Sequence, residues 1–472
     1  MSGFTKGELN MYKQNIVLGV VPTKRGFLSM EEAARQKDMF MEQIRKIKPG
    51  IVTLVDIDDI CENGIAFENG KVPQIVQKMK SHGIDALFTP FCDFGEESVV
   101  AEVSAALRVP HLVWGARDEK PNTDTVRGRD TQCGMFAATK VLRRFGITYS
   151  YIYNVPADSG AFRDGYLNFI RVASVLKDLK NLRIAKIGER PAPFMSVMNN
   201  DAALIKRFGI VTVPISPIVI AADMEKLLEE NGEELNTYYE DMKKRFDCSE
   251  MDEASVRKIA AVKLSVQQNM EKNNCTAAAI ECWPSCNAAL GVPVCTVLGE
   301  LADCGLPVSC ETDVCGAVTM AIMRACQLGE DTGFLADLTI RHPENDNAEL
   351  LWHCGPFAYS LKAPDSQARM VGGQERFELR QGDLTVCRFD EIDGEYYLFA
   401  GEGKTTTGPE TNGTYVWFET EDWKRWEEKL MFGPYIHHLG GTYGKFMPVL
   451  REVARYLDLN FDTVESDGPR SL

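Results

Sequence analysis

The first third of the chain alternates between short apolar runs and amphipathic stretches. The apolar runs lie at 15–21 (NIVLGVV), 51–57 (IVTLVDI), 86–91 (ALFTPF), 111–115 (HLVWG) and 149–154 (YSYIYN). Stretches with helical spacing separate them at 30–47, 72–80, 97–107 and 132–145. Strands apolar on both faces, with a helix between each pair, predict a parallel sheet covered on both sides. No other feature narrows the fold as far. Such a doubly wound α/β domain gathers ligands beyond the carboxyl ends of its strands. Two turns sit at such ends, 23–26 with Lys24 and Arg25, and 92–97. Neither G-x-G-x-x-G nor G-x-x-x-x-G-K-[ST] occurs, so no nucleotide cofactor is expected.

A helical stretch at 162–179 leads to a second α/β series. Strand-like runs fall at 182–188, 211–215 and 277–282, with long charged helical stretches at 224–246 and 253–272 and a return at 288–302. Residues 307–337 (PVSCETDVCGAVTMAIMRACQLGEDTGFLAD) then read as a short strand, the carboxylates Glu311 and Asp313, a helix over 314–328, and a strand over 334–340 carrying Asp337. Taken as a crossover unit, this stretch lets Glu311 and Asp337 face each other across strand ends. Acids so placed suit a divalent cation or general acid–base work. They also suit plainer duties, with Glu311 and Asp313 capping the helix and Asp337 in a turn. Beyond Asp337 the alternating runs at 350–355, 383–390, 395–403 and 413–419, parted by glycine-rich turns, predict an antiparallel sheet or barrel. A helix at 421–430, the motif GPYIHHLGG and a helix around 445–457 close the chain.

A chain of 472 residues has room for two or three domains. Its net charge of −16 argues against nucleic acid or an anionic membrane as partner. The N-terminus is polar, and no run approaches membrane-spanning length, so a cytoplasmic location is expected. Eight of the fourteen cysteines fall between Cys275 and Cys326, yet no C-x-x-C pair occurs, and Cys282 and Cys286 stand without a matching pair. Buried thiols in a reducing compartment fit better than disulfides, zinc or an iron–sulfur cluster.

Of the six histidines, His437 and His438 are adjacent, between Pro434 and Gly440-Gly441, while His353 lies in WHCG. Glycines let a backbone approach a ligand, and neutral imidazole is the commonest metal ligand. Two carboxylates and an imidazole make a hard site suited to Mn²⁺, Mg²⁺ or Co²⁺. Trp283 and Trp352 suit either a sugar-facing wall or the core. Met320 and Met323 read as packing, and the acids Asp56, Asp58 and Asp59 as a solvated loop. Lys24 and Arg25 suit either an anionic substituent on a substrate or surface ion pairs.

Five segments, ECWPSC (281–286), CETDVCGAVTM (310–320), FLADL (334–338), WHCG (352–355) and GPYIHH (433–438), carry a resemblance to the L-fucose isomerase and L-arabinose isomerase superfamily. It covers nearly the whole chain. It implies two Rossmann-like doubly wound parallel-sheet domains, 1–165 and 166–330, and a C-terminal β-rich, antiparallel barrel-like domain, 331–472. It further implies a ketol isomerase using Mn²⁺ and assembling as trimers or hexamers, the first domain of one subunit bordering a neighbour's active site. By this resemblance Glu311, Asp337 and His438 are the metal ligands, and Glu311 and Asp337 also the catalytic acids and bases. His353 is similar to a histidine that ligates metal in the arabinose branch. Glu281 stands where the fucose branch carries a sugar-binding glutamine, and His437 where it carries asparagine. Arg25 resembles a residue presented to the adjoining subunit's sugar, and Trp283 joins the sugar-binding set. The expected reaction interconverts an aldose and a ketose through a cis-enediol, on a pentose, a hexose or a hexose with a deoxy or acidic C6. Two alternatives stand beside it: an epimerase or lyase working through the same enediolate, and a sugar-binding protein without turnover.

Overall fold

The computed structural model describes residues 14–120 and 128–466, which form two compact units. In the first, Gln14–Lys177, β1 (Ile16–Val20) is flanked by β2 (Val52–Val55) and β3 (Ala86–Phe91), and β4 (His111–Gly115) and β5 (Ser150–Tyr151) extend the sheet. All its pairings are parallel. Helices α1 (Met30–Lys46), α2 (Val72–Ser81), α3 (Glu97–Leu107) and α4 (Thr131–Arg144) connect the strands, and α5 (Gly160–Lys180) leads out. Every residue of β3 and β4 is buried, as continuous apolar runs require. The Ser29 side chain caps α1 by accepting the Glu32 N–H, while acids in the first turn and bases in the last complement the helix dipole. The run at 149–154 supplies only two strand residues, because β5 is an edge strand and pairs through Ser150 and Tyr151 alone.

The second unit begins with a parallel sheet ordered β7-β6-β8-β9, from β6 (Arg183–Ile187), β7 (Val211–Ile215), β8 (Ala277–Ile280) and β9 (Val308–Ser309). Around it lie α6 (Asp201–Phe208), α7 (Pro217–Glu230), α8 (Glu233–Arg245), α9 (Glu253–Lys272), α10 (Ser285–Leu290) and α11 (Cys295–Asp303). The charged stretch expected as one helix is two. Asn231, left-handed with φ 49°, ends α7, and Gly232 caps α8. The return at 288–302 also divides, at Gly291 (φ 69°), whose backbone ends α10.

Next comes α12 (Val314–Cys326), buried at every position, which carries the chain out of the parallel sheet. The strands beyond it are β10 (Gly333–Arg341), β11 (Ala348–His353), β12 (Arg369–Val371), β13 (Gln374–Glu378), β14 (Asp383–Ile392), β15 (Glu395–Thr406), β16 (Thr414–Glu419), β17 (His438–Tyr443) and β18 (Asn460–Asp462), with α13 (Trp423–Phe432) and α14 (Met447–Leu457). Six of them close an antiparallel barrel, β10-β11-β16-β15-β14-β17 and back to β10. The short β12–β13 hairpin and β18 are appended to it. Parallel sheet and barrel share one hydrophobic core, from Ala185 and Ile187 to Leu384 and Phe418.

The crossover expected around α12 is therefore corrected. β9 lies in the parallel sheet, whereas β10 pairs antiparallel with β11 and β17 in the barrel. β17 itself is hidden in the sequence by its glycines, which suggest a turn. They are required by packing: a Cβ at Gly440 would meet Thr319 Cγ2 at 2.6 Å, and one at Gly441 would meet Phe334 Cζ at 2.4 Å. All fourteen cysteines are free, and most are buried. No described helix is long and apolar enough to cross a membrane.

Candidate active site

Glu311 and Thr312 follow β9 in the left-handed region, at φ 57° and 54°. Such geometry costs about 1–3 kcal/mol per non-glycine residue, so the surrounding bonds must hold it. The Thr312 N–H donates to Ile280 O at 3.1 Å and the Asp313 N–H to Cys310 O at 3.0 Å. Glu311 thus stands at the carboxyl end of the parallel sheet with its side chain clear of the helix that follows. Asp313, not Glu311, caps α12, accepting the Gly316 N–H at 2.8 Å.

From the barrel, the register of β10 against β17 sets Asp337 directly opposite His438. The three residues meet at one atom. His438 Nε2 lies 3.2 Å from Glu311 Oε2 and 3.4 Å from Asp337 Oδ1. Both His438 Nε2 and Asp337 Oδ1 are buried, and neither is aligned in a hydrogen bond. Buried polar atoms rarely go unsatisfied, so a buried acceptor and ring nitrogen facing one another fit a cation between them. The donor atoms of Asp337, His437 and His438 lie within 4.8 Å of one another, as do those of Cys310, His353 and His438. His437, expected as a sugar contact, therefore also stands within a potential ligand set. Glu311 belongs to neither triplet and reaches them through His438.

The charges around His438 are ordered by a buried network. Its Nδ1 donates to Asp313 Oδ2 at 2.9 Å, and Arg388 Nη2 donates to Asp313 Oδ1 at 3.1 Å. Arg388 Nε reaches Asp390 Oδ2 at 2.8 Å. Burial opposes the charged imidazole, but Asp313 and Glu311 outweigh it and hold His438 up to about 9. Burial likewise opposes charge on Asp313, yet Arg388 and His438 keep it well below the usual carboxylate range. Burial also works against the Glu311 carboxylate, and the close approach of His438 and the bond from Trp283 hold it below its ordinary value. With Nδ1 bonded to Asp313, His438 presents only Nε2 to the site.

His353 takes a different state. Burial, chiefly, depresses it, so the ring is neutral. The Cys354 N–H donates to its Nδ1 at 2.8 Å, which places the ring proton on Nε2. That nitrogen lies 2.9 Å from Cys310 Sγ and 3.8 Å from Asp337 Oδ1. His437, lowered by burial and by His438, sits 3.9 Å from the same Asp337 oxygen.

The other expected contacts distribute as follows. Trp283 Nε1 donates to Glu311 Oε1 at 3.1 Å, while its ring stays partly exposed. Glu281, buried at the end of β8, accepts the Glu189 N–H at 3.1 Å. Arg25 lies in the first unit, ion-paired to Glu96 at 3.2 Å and stacked 4.4 Å over Phe94. Its neighbour Lys24 is buried, with Nζ bonded to the carbonyls of Arg25 and Gly26. Two participants had no sequence signal. Arg388 lies in a run that alternates like any barrel strand, and Phe194, whose ring is 5.6 Å from Trp283 and 6.3 Å from His437, lies in a loop without a motif.

A parallel α/β sheet and a closed antiparallel barrel that share one core, with a Glu–Asp–His cluster brought together from the end of β9 and from β10 and β17, define the class. Residues 19–180 match the family model of the fucose/sulfoquinovose isomerase N-terminal domain. The chain is 25% identical over 460 residues to the sulfoquinovose isomerase of Priestia megaterium, covering 94% of this chain and 98% of the relative. It is 27% identical over 344 residues to the sulfoquinovose isomerase of Alkalicoccus urumqiensis (70% and 75%), and 27% identical over 387 residues to that of a Clostridium species (79% and 84%). These matches support the L-fucose isomerase-like superfamily for this chain. It is an aldose–ketose isomerase acting on a sugar.

Proposed function

We propose that this chain is a metal-dependent isomerase of a hexose bearing an anionic group at C6, and that it works through a cis-enediol. The names of the relatives support the substrate class, since sulfoquinovose is a hexose with a C6 sulfonate. The observation that carries the metal reading is the convergence of Glu311 and Asp337 on His438 Nε2, with that nitrogen and Asp337 Oδ1 unpartnered. Glu311, Asp337 and His438 would hold the ion, Mn²⁺ or alternatively Mg²⁺ or Co²⁺, which when bound offsets negative charge developing on the substrate's O1 and O2.

Glu311 and Asp337 supply the base and its conjugate acid. The C2 proton passes to one of these carboxylates, leaving an enediolate with its charge on O1; O1 takes the O2 proton, and the carboxylic acid returns its proton to C1 to give the ketose. His353 donates its Nε2–H to a sugar hydroxyl. Glu281, His437 and Trp283 bind the remaining hydroxyls and the ring face. Within this proposal the functional domains are 1–165, 166–330 with Glu311, and 331–472 with Asp337, His353 and His438. Arg25 enters the site of a neighbouring subunit in a trimer or hexamer.

The test is deuterium incorporation from D₂O into a panel of aldoses and ketoses, with and without Mn²⁺. Exchange at the carbon beside the carbonyl is expected only with metal, and should fall by about 10²–10⁴-fold or more in Glu311→Gln. His353→Gln should be milder, about 10- to 100-fold. Metal-independent exchange, or exchange that survives Glu311→Gln, would remove this reading.

A further inference from the structure

The chain beyond β6 forms one wall of the site. β6 lies beside β8 in the parallel sheet, and β9 is the next strand, so the carboxyl ends of all three point the same way. Gly188, which follows β6, has φ 78°, and a Cβ there would come 2.5 Å from Glu281 Oε2. The next residue, Glu189, donates its N–H to that same oxygen at 3.1 Å. Five residues on, the Phe194 ring lies edge-on to Trp283 at 5.6 Å and 6.3 Å from His437. The loop is therefore pinned at Glu281 at one end and at Trp283 and His437 at the other. Arg190 lies between these anchors.

Arg190 differs from the other charged groups around the site. Its Nη1 donates to Pro191 O at 3.3 Å and Ala192 O at 3.0 Å, both neutral carbonyls of its own loop. Among the described residues no carboxylate ion-pairs with it. The adjacent acid, Glu189, is taken by Lys186 at 3.0 Å. Arg388, by contrast, is buried and neutralised by Asp313 and Asp390. Arg190 is partly buried and has no carboxylate partner among the described residues, in a loop whose flanking residues bond to Glu281 and pack on Trp283 and His437. A guanidinium held only by carbonyls keeps its charge and part of its donor fork for a tetrahedral oxyanion.

We infer that Arg190 is a specificity-determining residue that binds the anionic C6 group of the sugar, a sulfonate in the first instance. This rests on the proposed sugar-isomerase reading and adds the residue that distinguishes a charged hexose from a neutral one. Arg190 contacts the end of the substrate remote from C1 and C2, so it contributes to binding rather than to proton transfer.

The test compares wild type, Arg190→Gln and Arg190→Lys as full-length, Mn²⁺-loaded proteins. Steady-state isomerisation is measured on a C6-sulfonated aldohexose, its C6-phosphate counterpart and the neutral 6-deoxyhexose, with calorimetric binding of each sugar and of Mn²⁺. In Arg190→Gln, KM for the sulfonated sugar should rise about 30- to 100-fold with kcat little changed. Mn²⁺ affinity and kcat/KM for the neutral sugar should stay as in wild type, and Arg190→Lys should restore part of the loss. A larger effect on the phosphorylated sugar than on the sulfonated one supports the anion site and names phosphate as its group. If wild type isomerises the sulfonated sugar and Arg190→Gln leaves its KM unmoved, or weakens charged and neutral sugars equally, the inference falls while the isomerase reading stands. If wild type neither binds nor isomerises either charged sugar, both the substrate class and the role of Arg190 are overturned.

Discussion

Asp313 receives three kinds of donor while fully buried: the backbone of α12, the His438 ring and the Arg388 guanidinium. It touches no reacting atom, so it is a positioning residue. Asp313→Asn keeps its shape and removes its charge, leaving Arg388 with Asp390 as its remaining carboxylate partner. Breaking a buried pair in this way should cost about 3–5 kcal/mol, read from denaturant melts. The same change frees His438 Nδ1 from its charged acceptor, and Mn²⁺ affinity should fall about 10- to 100-fold by titration calorimetry. A purely structural role would lower the melt and leave the affinity of the folded protein unchanged. The sequence exposed part of this site and hid the rest. Glu311, Asp337 and His438 stood out because they sit in short polar breaks within apolar runs. Asp313 was legible as a helix cap, which it is, but its pairing with a residue 75 positions away left no local trace.

At the level of elements, a strand can carry an acid whose environment sets a pH dependence. Glu349 on β11 is buried, its Oε2 has no partner, and burial, reinforced by Glu427 against the pull of Arg341, raises it to about 7. Its ordinary value is 4.5, so the folded state holds this proton more tightly than the unfolded chain does. The associated stability is fully present below about pH 4.5 and is lost as pH rises through about 7. Glu349→Gln keeps a neutral side chain at every pH. It should stabilise the protein at pH 8 by about 1–2 kcal/mol after allowance for solvent screening, and have little effect at pH 4. Thermal melts of both proteins at the two pH values test this, and equal shifts at both would contradict it. Strands such as β3, β4, β14 and β15 were plain in the sequence because their apolar content is continuous or alternating. β17 was not, since close packing against Thr319 and Phe334 demands glycine where the pattern would otherwise show a strand former.

For the whole molecule, two α/β series followed by a β-rich end were readable because apolar strands parted by helical spacing give way, beyond Asp337, to strands that alternate and are parted by glycine-rich turns. The handover between the last two was not, because α12 is buried on all sides and its spacing says nothing about which sheet receives the next strand. Assembly is the remaining scale, and the proposed role of Arg25 gives it a test. If each site takes Glu311 from one subunit and Arg25 from the next, Glu311→Gln and Arg25→Ala damage different halves of the same site. Each homogeneous variant should then be strongly impaired. A subunit carrying Arg25→Ala still has Glu311, and a neighbour carrying Glu311→Gln still offers Arg25. In an equal mixture assembled by co-expression, half the sites retain Glu311 and half of those gain an intact Arg25, so about a quarter of wild-type turnover should return. Mass measurement of the same sample should give a trimer or a hexamer. No recovery in demonstrably mixed assemblies would place Arg25 in its own subunit's site or outside any site, and a monomer would remove the shared site altogether.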